Sequence, residues 1–530
     1  MSESILITGK LHDVAIEMFQ RKFGSRVRYL PDCTAEQLRE EVRAAVVLVT
    51  RSETEIDTTL LDVAPQLKVI ARACVGVAGI DLEAATRRGI LVLNTPGKNT
   101  NSAAELTFAL LLAVMRHIPA AHSHVQQRQW QRHLYTGREL RGKKIGIVGL
   151  GNVGHRMALF CRGFEMEVFA YDPYVSARRF ERYEVTPVAQ LEALAASCDI
   201  LTVHVPLNEE TRGMVSHTIL QKLPRGAVVL NAARGGVVDE QALVQLLNEQ
   251  HLSAAGIDTW FQEPDLNRAL SEHPAVVATP HIGASTEEAQ YAIGVTVFEQ
   301  VCKALEDKVV DFPVNMPNVS VIENPGMSMY ASLAEKLARF AAQLAHPNPQ
   351  RIRLIFQGDL GEQDCGLLEL AWKKGYLTSS REGFVSFVNV EQKFTETGIE
   401  WQVKHSPSSG FYRSGISCEI RTESGEVHML SGTVFDSRLE RLTRLDQFRI
   451  EVELAGELVV VQNRDLPGVI GEIGILMAKY GINIDSFDLS RRKENDVALG
   501  IVRVDEPLSA AALQQLSALP NIEWVKCVSL

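Results

Sequence analysis

The sequence predicts an α/β protein with two doubly wound, parallel-sheet domains, a mixed α+β region and a terminal ferredoxin-like unit. Three observations support this fold class. Short apolar runs alternate with helical stretches from residue 5 to residue 94, and the same alternation restarts at residue 143. Such alternation is typical of parallel strands joined by crossover helices. The last stretch, 457–530, instead orders its elements β-α-β-β-α-β, which is the ferredoxin-like order.

The composition excludes several classes of protein. At 530 residues the chain is too long for one core and suggests about three or four domains. A net charge of −11 provides no basic stripe for nucleic acid. The 8 cysteines are scattered without metal-ligand spacing, so we expect reduced thiols and no metal. No signal-peptide pattern or membrane-length apolar run occurs, which predicts a cytoplasmic protein without a membrane partner.

The elements of the first predicted domain follow from local patterns. Its strands are the apolar runs ILIT, AVVLVT, LKVIA and ILVLN, and TAEQLREEVRAA is one of its helices. Residues 102–118 form an almost wholly apolar helix, which we expect to be buried between two domains. A helix near 286–308 leads into the Pro- and Asn-rich stretch 311–326, which we interpret as a linker.

The second predicted domain contributes a further set of strands, each ending in a turn. They are KIGIV, EVFAYD, ILTVHV, AVVLNA, AAGID and VVATP. The late helix and the first strands are expected to share one domain, with residues 98–287 inserted between them. Residues 319–452 mix strands and helices and carry no catalytic motif.

The stretch 143–174 carries a glycine motif with the spacing G-x-G-x-x-G. Gly149, Gly151 and Gly154 directly follow the strand KIGIV and open a helix. In that context Gly149 permits a tight turn and Gly151 lets a pyrophosphate approach the backbone. Gly154 lets the helix pack closely on the strand. The context therefore predicts a Rossmann-like dinucleotide site, the alternative being a glycine turn that binds nothing.

The same stretch predicts NAD rather than NADP. The pyrophosphate is expected at the helix terminus near Asn152 and Val153, where backbone N–H groups are free. Asp172 ends the next strand, and its carboxylate would accept hydrogen bonds from the adenine ribose and repel a 2′-phosphate. No arginine follows Asp172 directly, since Arg178 and Arg179 come after the intervening residues PYVSA.

Three polar residues follow the ends of later strands in this half. Arg234 follows AVVLNAA, Glu263 follows AAGIDTWFQ and His281 follows VVATP. Ligands of an open parallel sheet bind at the carboxyl ends of its strands, so we expect these side chains near the nicotinamide. Hydride transfer from an alcohol carbon needs a base for the hydroxyl proton, and histidine suits that role. A neighbouring carboxylate orients the histidine, and an arginine holds a substrate carboxylate.

Each of these three residues also has a purely structural interpretation. The histidine could be a satisfied loop residue, the glutamate a helix cap and the arginine a surface ion pair. Their joint occurrence at strand ends behind a nucleotide motif favours the catalytic interpretation.

Several blocks resemble those of the D-2-hydroxyacid dehydrogenase family, namely NAARGGVVDEQAL, AAGIDTWFQEP and TPHIGASTEEAQ. More narrowly, ILVLNTP…SAAE, GLGNVG…YDPYVS and NRDLPGVIGEIG…GINI are similar to the long-form D-3-phosphoglycerate dehydrogenases within it. Those proteins carry an intervening domain and a regulatory ACT domain. The resemblance covers nearly the whole chain and is weakest at 320–450.

This resemblance implies a domain organisation. A substrate-binding domain comprises 1–97 and 288–318, and an NAD-binding Rossmann domain comprises 98–287. An intervening domain covers 319–452, and an ACT domain covers 457–530.

Carried over residue by residue, the resemblance implies a catalytic set. Arg234 binds and orients the substrate, Glu263 partners the histidine and His281 is the acid/base. Asp258 contacts the nicotinamide side of NAD. The other residues expected to line the cofactor are His204, Val205 and Pro206; Ala232, Ala233 and Arg234; and His281, Ile282, Gly283 and Ala284.

One loop departs from the family pattern. Family members usually have G-x-G-x-D-N-x-D where this chain has VGVAGID, so Ala78 and Gly79 replace an aspartate and an asparagine. Backbone N–H groups of Val75 and Gly76 can still hold a substrate carboxylate, but the loop's rigidity and the identity of the substrate stay open. The candidate phosphate ligands, each also interpretable as a surface arginine, are Arg51, Arg72 and Arg132.

Three functions are compatible with these residues. The favoured one is oxidation of 3-phospho-D-glycerate to 3-phosphohydroxypyruvate, the first step of L-serine biosynthesis. The second is oxidation of another D-2-hydroxy acid. The third is an NAD-sensing corepressor-like binding protein, which the ACT-like tail disfavours because such proteins end in disordered segments.

The tail and the resemblance also imply regulation and assembly. Asn463 and Asp465 precede a helix. Asn483 lies at the start of the next strand, where the resemblance to ACT domains implies a further ligand, often across a dimer interface. The helix terminus suits the carboxylate of a small amino acid and Asp465 suits its ammonium group. We expect L-serine to bind there, the alternative being a dimerisation module without an effector. The resemblance implies a homotetramer, with which the apolar helix 102–118 is compatible as a subunit contact.

Overall fold

The computed structural model describes residues 4–306, 310–316, 326–344, 349–380, 385–408, 412–436, 439–492 and 497–530. Its internal contacts divide the chain into two units. Unit 1 comprises Met1–Lys10, Phe19–Asn94 and Val297–Leu530, and unit 2 comprises Leu11–Met18 and Thr95–Thr296.

The first part of unit 1 is a parallel sheet. The elements of this part of the chain are β1 (Ile5–Thr8), α1 (Asp13–Phe23), β2 (Val27–Leu30), α2 (Ala35–Glu41), β3 (Val47–Thr50), α3 (Thr58–Asp62), β4 (Val69–Arg72), α4 (Leu82–Arg87) and β5 (Leu91–Leu93). The sheet order is β2-β1-β3-β4-β5. Every residue of β1, β3 and β4 is buried, which explains why these strands are continuous apolar runs.

The chain returns to this sheet late in the sequence. The N–H of Val314 donates to the carbonyl of Val92, and the side chain of Asn315 accepts from the N–H of Val92. The segment ending at residue 316 therefore runs along β5. Most of the predicted linker 311–326, from 317 to 325, lies outside the described residues.

Unit 2 is built on a second parallel sheet. Its elements are α5 (Thr100–Met115), α6 (Ile118–Gln126), β6 (Lys144–Val148), α7 (Asn152–Gly163), β7 (Glu167–Tyr171), α8 (Ala177–Tyr183), β8 (Thr186–Pro187), α9 (Leu191–Ser197), β9 (Ile200–Val203), α10 (His217–Lys222), β10 (Ala227–Asn231), α11 (Glu240–Asn248), β11 (Leu252–Ile257), α12 (Arg268–Ser271) and β12 (Val276–Ala278). The order β12-β11-β10-β9-β6-β7-β8 is doubly wound about β6 and β9, as predicted. Helix α13 (Glu287–Leu305) follows.

The apolar helix predicted over 102–118 is α5 (Thr100–Met115). It packs inside unit 2, where Leu110 and Val114 lie against Gly256 of β11. It stops at Met115 because His117 adopts a left-handed conformation, with φ +53°, before α6 begins. No single helix in the described ranges is long and apolar enough to span a bilayer. Helices α5 and α6 reach that length and apolar composition only when taken together, and they are bent by 66° relative to each other.

The region after α13 is an antiparallel-rich sheet with helices packed on it. Its elements are α14 (Met327–Gln343), β13 (Pro349–Gly358), α15 (Gly366–Ser380), α16 (Val390–Thr395), β14 (Glu400–Ser406), β15 (Ser414–Thr422), β16 (Val427–Phe435), β17 (Leu439–Leu445) and β18 (Phe448–Glu453). The sheet order is β14-β13-β15-β16-β17-β18. Helices α14 and α15 approach closely at Gly375, where an added Cβ would lie 2.2 Å from the Glu335 carbonyl oxygen.

The last elements confirm the predicted β-α-β-β-α-β order. They are β19 (Glu457–Arg464), α17 (Val469–Lys479), β20 (Ile484–Arg492), β21 (Val497–Val504), α18 (Ala510–Ser517) and β22 (Ile522–Ser529). The antiparallel sheet has the order β20-β21-β19-β22. Val469, Ile473 and Met477 of α17 are buried against it.

Candidate active site

The carboxyl ends of the strands in unit 2 lie at one level of the sheet. The terminal residues pair in register as Val148 with Tyr171 and Val203, Asn231 with Val203 and Ile257, and Ile257 with Ala278. The residue after each strand therefore emerges at the same edge. That edge collects the glycine turn and the predicted catalytic loops.

The glycine turn has the geometry that its spacing predicts. Gly149 has φ +90°, and an added Cβ would lie 2.7 Å from the His204 carbonyl oxygen. A Cβ on Gly154 would lie 2.0 Å from the Gly149 carbonyl oxygen, so α7 packs against the turn itself. A Cβ on Gly151 would meet nothing within 4 Å. The open side of the turn is thus at Gly151.

Helix α7 begins directly at that open side. Its N-cap residue, Gly151, has no side chain to cap the helix, so the first N–H groups, including those of Asn152 and Val153, are directed away from the helix without a side-chain acceptor. An anion such as a pyrophosphate suits such a terminus. The residues present therefore fit a dinucleotide.

The Asp172 carboxylate is hydrogen-bonded to the backbone of the glycine turn. One carboxylate oxygen accepts from the N–H of Leu150 at 2.8 Å, and the other accepts from the N–H of Tyr174 at 3.0 Å. Arg179 Nε in turn donates to the carbonyl of Leu150 at 2.7 Å. A carboxylate has further lone pairs for a ribose. The sequence did not predict a role for Arg179, because it lies 29 residues after Leu150, the residue that it contacts.

The loop after β9 forms another wall of the turn. Burial lowers the pKa of His204 to about 3, so its ring is neutral, and its Nε2 lies 3.0 Å from the Thr202 hydroxyl. The next residue, Val205, also lies beside Gly149, whose added Cβ would lie 2.8 Å from Val205 Cγ1. Pro206 follows, and its carbonyl accepts from the Thr211 hydroxyl.

Asp258 anchors the loop that carries His281. Its side chain is fully buried, and one oxygen accepts from the Thr279 hydroxyl at 2.6 Å and from the N–H of Ile282 at 2.8 Å. The other oxygen accepts from the N–H of Gly283 at 2.9 Å. In the described contacts Asp258 is therefore a loop anchor, and its expected contact with the nicotinamide stays a prediction.

His281 and Glu263 are in direct contact. His281 Nδ1 lies 2.7 Å from Glu263 Oε2, and the other oxygen of Glu263 accepts from the N–H of Trp260 at 3.0 Å. The side chains are 43% and 37% exposed, so both can reach a ligand. His281 has φ +54°, a conformation that non-glycine residues rarely adopt and that is common at functional sites.

Arg234 reaches the same neighbourhood through its loop. A Cβ on Gly235 would lie 1.7 Å from the Trp260 carbonyl oxygen, so the two loops touch backbone to backbone. The guanidinium of Arg234 donates to the carbonyl of Ala233 at 2.6 Å and is half-buried. Ala232 and Ala233 continue the loop, which Asn231 holds through a hydrogen bond to the Ala233 N–H.

The predicted substrate residues of unit 1 separate into two kinds. Arg72 is fully buried, and its guanidinium donates to the carbonyls of Arg51, Thr54 and Ala78. The prediction that Arg72 binds a phosphate is therefore wrong in this structure, because its charge is enclosed by backbone oxygens. The contact with Ala78 instead braces the loop that departs from the family pattern.

Backbone donors remain available in that loop. The N–H groups of Val75 and Gly76 donate to no acceptor within the described part of the chain, while Asn94 fixes the loop through the Val75 carbonyl at 2.8 Å. Arg51 is half-buried and donates to the Lys10 carbonyl at 2.9 Å. In unit 2, Arg132 is exposed in a 3₁₀ turn.

Comparison with known proteins matches three family models to successive parts of the chain. The NAD-binding domain of D-isomer specific 2-hydroxyacid dehydrogenases matches residues 108–283. The D-3-phosphoglycerate dehydrogenase intervening domain matches 326–446, and the ACT domain matches 458–521. NAD is therefore the cofactor class of this chain.

Curated relatives match along the whole chain. The D-3-phosphoglycerate dehydrogenase of Methanocaldococcus jannaschii is 32% identical over 526 residues, which are 99% of each protein. That of Mycobacterium tuberculosis is 35% identical over 505 residues, 95% of each. The chain belongs to the D-3-phosphoglycerate dehydrogenase family.

Solved structures match the dehydrogenase part of this family member. A protein from Thermus thermophilus is 33% identical, with a TM-score of 0.55, and covers 59% of this chain and 99% of its own. A 2-hydroxyacid dehydrogenase from Ketogulonicigenium vulgare is 27% identical, with a TM-score of 0.53, and covers 59% and 98%.

The predicted effector residues of this dehydrogenase's ACT domain are not brought together within one chain. Asn463 on β19 pairs with Ala498 on β21, whereas Asn483 precedes Ile484, which pairs with Val504. Six residues along β21 separate these positions, which is about 20 Å. A site that uses both asparagines therefore needs two chains.

Each predicted effector residue also has a partner within the chain. Asn463 is buried, and its amide donates to the carbonyl of Arg464 at 2.7 Å. Asp465 pairs with Arg491 at 2.7 Å, and Asn483 donates to Asp505 at 2.8 Å. An amino-acid ammonium group would have to share Asp465 with Arg491.

The open space at Gly151 generates a prediction. Gly151→Ala should keep the melting temperature of the parent but weaken NADH binding at least ~10-fold, because a methyl group would occupy the pyrophosphate's space. NADH fluorescence titration and thermal melts measure the two effects. Gly154→Ala is the matched control and should lower the melting temperature. Unchanged NADH binding by Gly151→Ala would remove the cofactor from this turn.

Proposed function

We propose that this chain oxidises 3-phospho-D-glycerate to 3-phosphohydroxypyruvate with NAD, the first step of L-serine biosynthesis. The observation that carries the proposal is the His281–Glu263 pair, which lies at the same sheet edge as the glycine turn. Full-length relatives named D-3-phosphoglycerate dehydrogenase support the choice of substrate.

His281 is the proposed acid/base. Because Nδ1 faces a carboxylate at 2.7 Å, we assign the ring proton to Nδ1, which leaves the lone pair of Nε2 for the substrate hydroxyl. The hydroxyl proton passes to Nε2 while the carbon–oxygen bond becomes a carbonyl. NAD, when bound, accepts the hydride from the same carbon. Glu263 orients the ring and balances the charge that it gains, and the Trp260 N–H keeps Glu263 in place.

The substrate carboxylate is the proposed ligand of Arg234. A planar guanidinium matches a carboxylate through two parallel hydrogen bonds, and the tight packing of Gly235 on Trp260 fixes the loop that presents it. We propose that the N–H groups of Val75 and Gly76 assist, and that Asn152, Val153, Asp172 and the loops at 204–206, 232–234 and 281–284 hold NAD.

A different D-2-hydroxy acid is the alternative substrate. It is favoured by the enclosure of Arg72, which removes one of the predicted phosphate ligands, and by the presence of Ala78 and Gly79 in the substrate loop. Arg51 and Arg132 remain the proposed phosphate ligands. An NAD-sensing binding protein has no comparable observation in its favour.

The proposed domain roles follow from this reaction. We propose residues 1–97 and 288–318 as the substrate-binding domain, 98–287 as the NAD-binding domain, 319–452 as the intervening domain and 457–530 as the regulatory ACT domain. The return of residues 312–316 to β5 supports the first assignment. We further propose a cytoplasmic homotetramer that binds L-serine at Asn463, Asp465 and Asn483.

A substrate comparison tests the reaction directly. We expect NADH to form with 3-phospho-D-glycerate at a kcat/KM at least ~10²-fold above that for D-glycerate, which lacks only the phosphate. Arg132→Ala should lower the value for the phosphorylated compound alone. Equal or better oxidation of D-glycerate or D-lactate would assign the chain to the alternative.

Removal of the base tests the proposed chemistry. His281→Ala should lower kcat by ~10²–10⁴-fold, because that is the usual contribution of a general acid–base group, while NADH binding stays near the parent value. His217→Ala, at the start of α10, is the control and should keep full turnover. Turnover within a few-fold of the parent in His281→Ala would rule out this base.

Regulation is tested by titrating L-serine against the initial rate. The parent should lose activity without a change in KM for substrate, and Asn483→Ala should need ~10-fold more serine because a hydrogen bond to the effector is lost. Gln514→Ala, exposed on α18, is the control. A flat response in the parent would make the ACT domain an assembly module. Inhibition unaltered by Asn483→Ala would place the effector elsewhere.

A further inference from the structure

Both backbone groups of Leu150, in the glycine turn, are hydrogen-bonded to charged side chains of opposite sign. Its N–H donates to Asp172 at 2.8 Å, and its carbonyl accepts from Arg179 Nε at 2.7 Å. Leu150 itself is fully buried. The position of this residue, which lies between Gly149 and Gly151, is therefore set by two side chains outside the glycine motif.

A small cluster surrounds Arg179. Its guanidinium carbon lies 5.9 Å from the centre of the Tyr183 ring, and that ring stacks on His155 at 4.5 Å between centres. His155 Nδ1 lies 2.9 Å from the Gly151 carbonyl oxygen. Burial lowers the pKa of His155, and the positive charge of Arg179 adds to that effect, so the neutral ring donates to Gly151. The cluster thus braces two successive carbonyls of the turn.

Only the Nε edge of the Arg179 guanidinium makes a hydrogen bond in the described part of the chain. Nε is bound to Leu150, whereas the two Nη groups make no hydrogen bond or ion pair with any residue that the structure describes. Arg179 is half-buried, so these groups are close to the turn yet reachable. Its neighbour Arg178 is exposed and makes no described contact with the turn.

We propose that Arg179 is a positioning and specificity-determining residue of the NAD site. It holds the turn that receives the pyrophosphate, and its Nη groups form a 2′-phosphate site that Asp172 keeps closed. The proposal rests on the proposed NAD function of this turn. The Asp172 carboxylate and the Arg179 guanidinium both bind Leu150, so both charged groups lie beside this residue. A 2′-phosphate placed beside Leu150 would be repelled by the carboxylate and attracted by the guanidinium.

The balance between the two charges decides the cofactor. With Asp172 ionised, a ribose hydroxyl can donate to the carboxylate, and a 2′-phosphate is repelled. With Asp172 neutral, the guanidinium is left to bind the phosphate through paired N–H donors. Asp172→Asn is the suitable change because its oxygen can still accept from the Leu150 N–H, so the turn keeps that tether.

The test measures NADH and NADPH binding by fluorescence titration in the full-length protein. Asp172→Asn should raise the ratio of NADPH to NADH affinity ~10-fold, and Arg179→Gln added to it should abolish that gain. Arg178→Gln added to Asp172→Asn is the matched control and should keep the gain. In the parent background, Arg179→Gln should weaken NADH binding ~10-fold, and Arg179→Lys should recover part of it.

Two results would overturn the proposal. One is a rise in the NADPH-to-NADH affinity ratio that persists when Arg179→Gln is added to Asp172→Asn. The other is a rise that Arg178→Gln removes as completely as Arg179→Gln does. Thermal melts check that each variant is folded. The titration needs no substrate turnover, so a chain that oxidises a different hydroxy acid would still give the expected ratios. Stronger NADPH than NADH binding by the parent would instead refute the NAD assignment.

Discussion

The in-register ends of the parallel strands in unit 2 are the constraint on which the proposed site depends. Five strands end at the same level of the sheet, at Val148, Tyr171, Val203, Asn231 and Ile257. The loops that follow these strands therefore begin next to one another. Parallel pairing of buried apolar strands sets this level. The proposed chemistry therefore depends on hydrophobic packing that is remote from the reacting atoms.

At this edge of the sheet, two carboxylates fix the glycine-containing loops by accepting hydrogen bonds from their backbone N–H groups. Buried Asp258 accepts from the N–H groups of Ile282 and Gly283 and thereby holds His281 at φ +54°. Backbone strain of about 1–3 kcal/mol at such a residue persists only where its surroundings impose it. Asp172 acts similarly on Leu150. In both loops a carboxylate binds backbone donors next to a residue that is proposed to face the ligand.

The parts of the molecule that sequence reasoning predicted well are those governed by local patterns. The strands of both parallel sheets, the roles of Gly149 and Gly154, and the closeness of His281 to Glu263 follow from periodicity and from strand-end logic. Arg72 and Arg179 could not be placed in this way, because each acts on a carbonyl of a loop distant in sequence. An arginine near a strand end has the same local pattern whether it faces a phosphate or a backbone oxygen.

The antiparallel register of the ACT sheet has a consequence for mixed assemblies. Since Asn463 and Asn483 lie at opposite ends of one chain's sheet, an effector site that uses both would be built from halves contributed by two subunits. Two chains, each defective at a different asparagine, would then form one intact site and one doubly defective site when they assemble. Regulation would be restored in part by mixing two chains that each lack the effector response, as in genetic complementation between alleles. A site contained within one chain could not behave in that way.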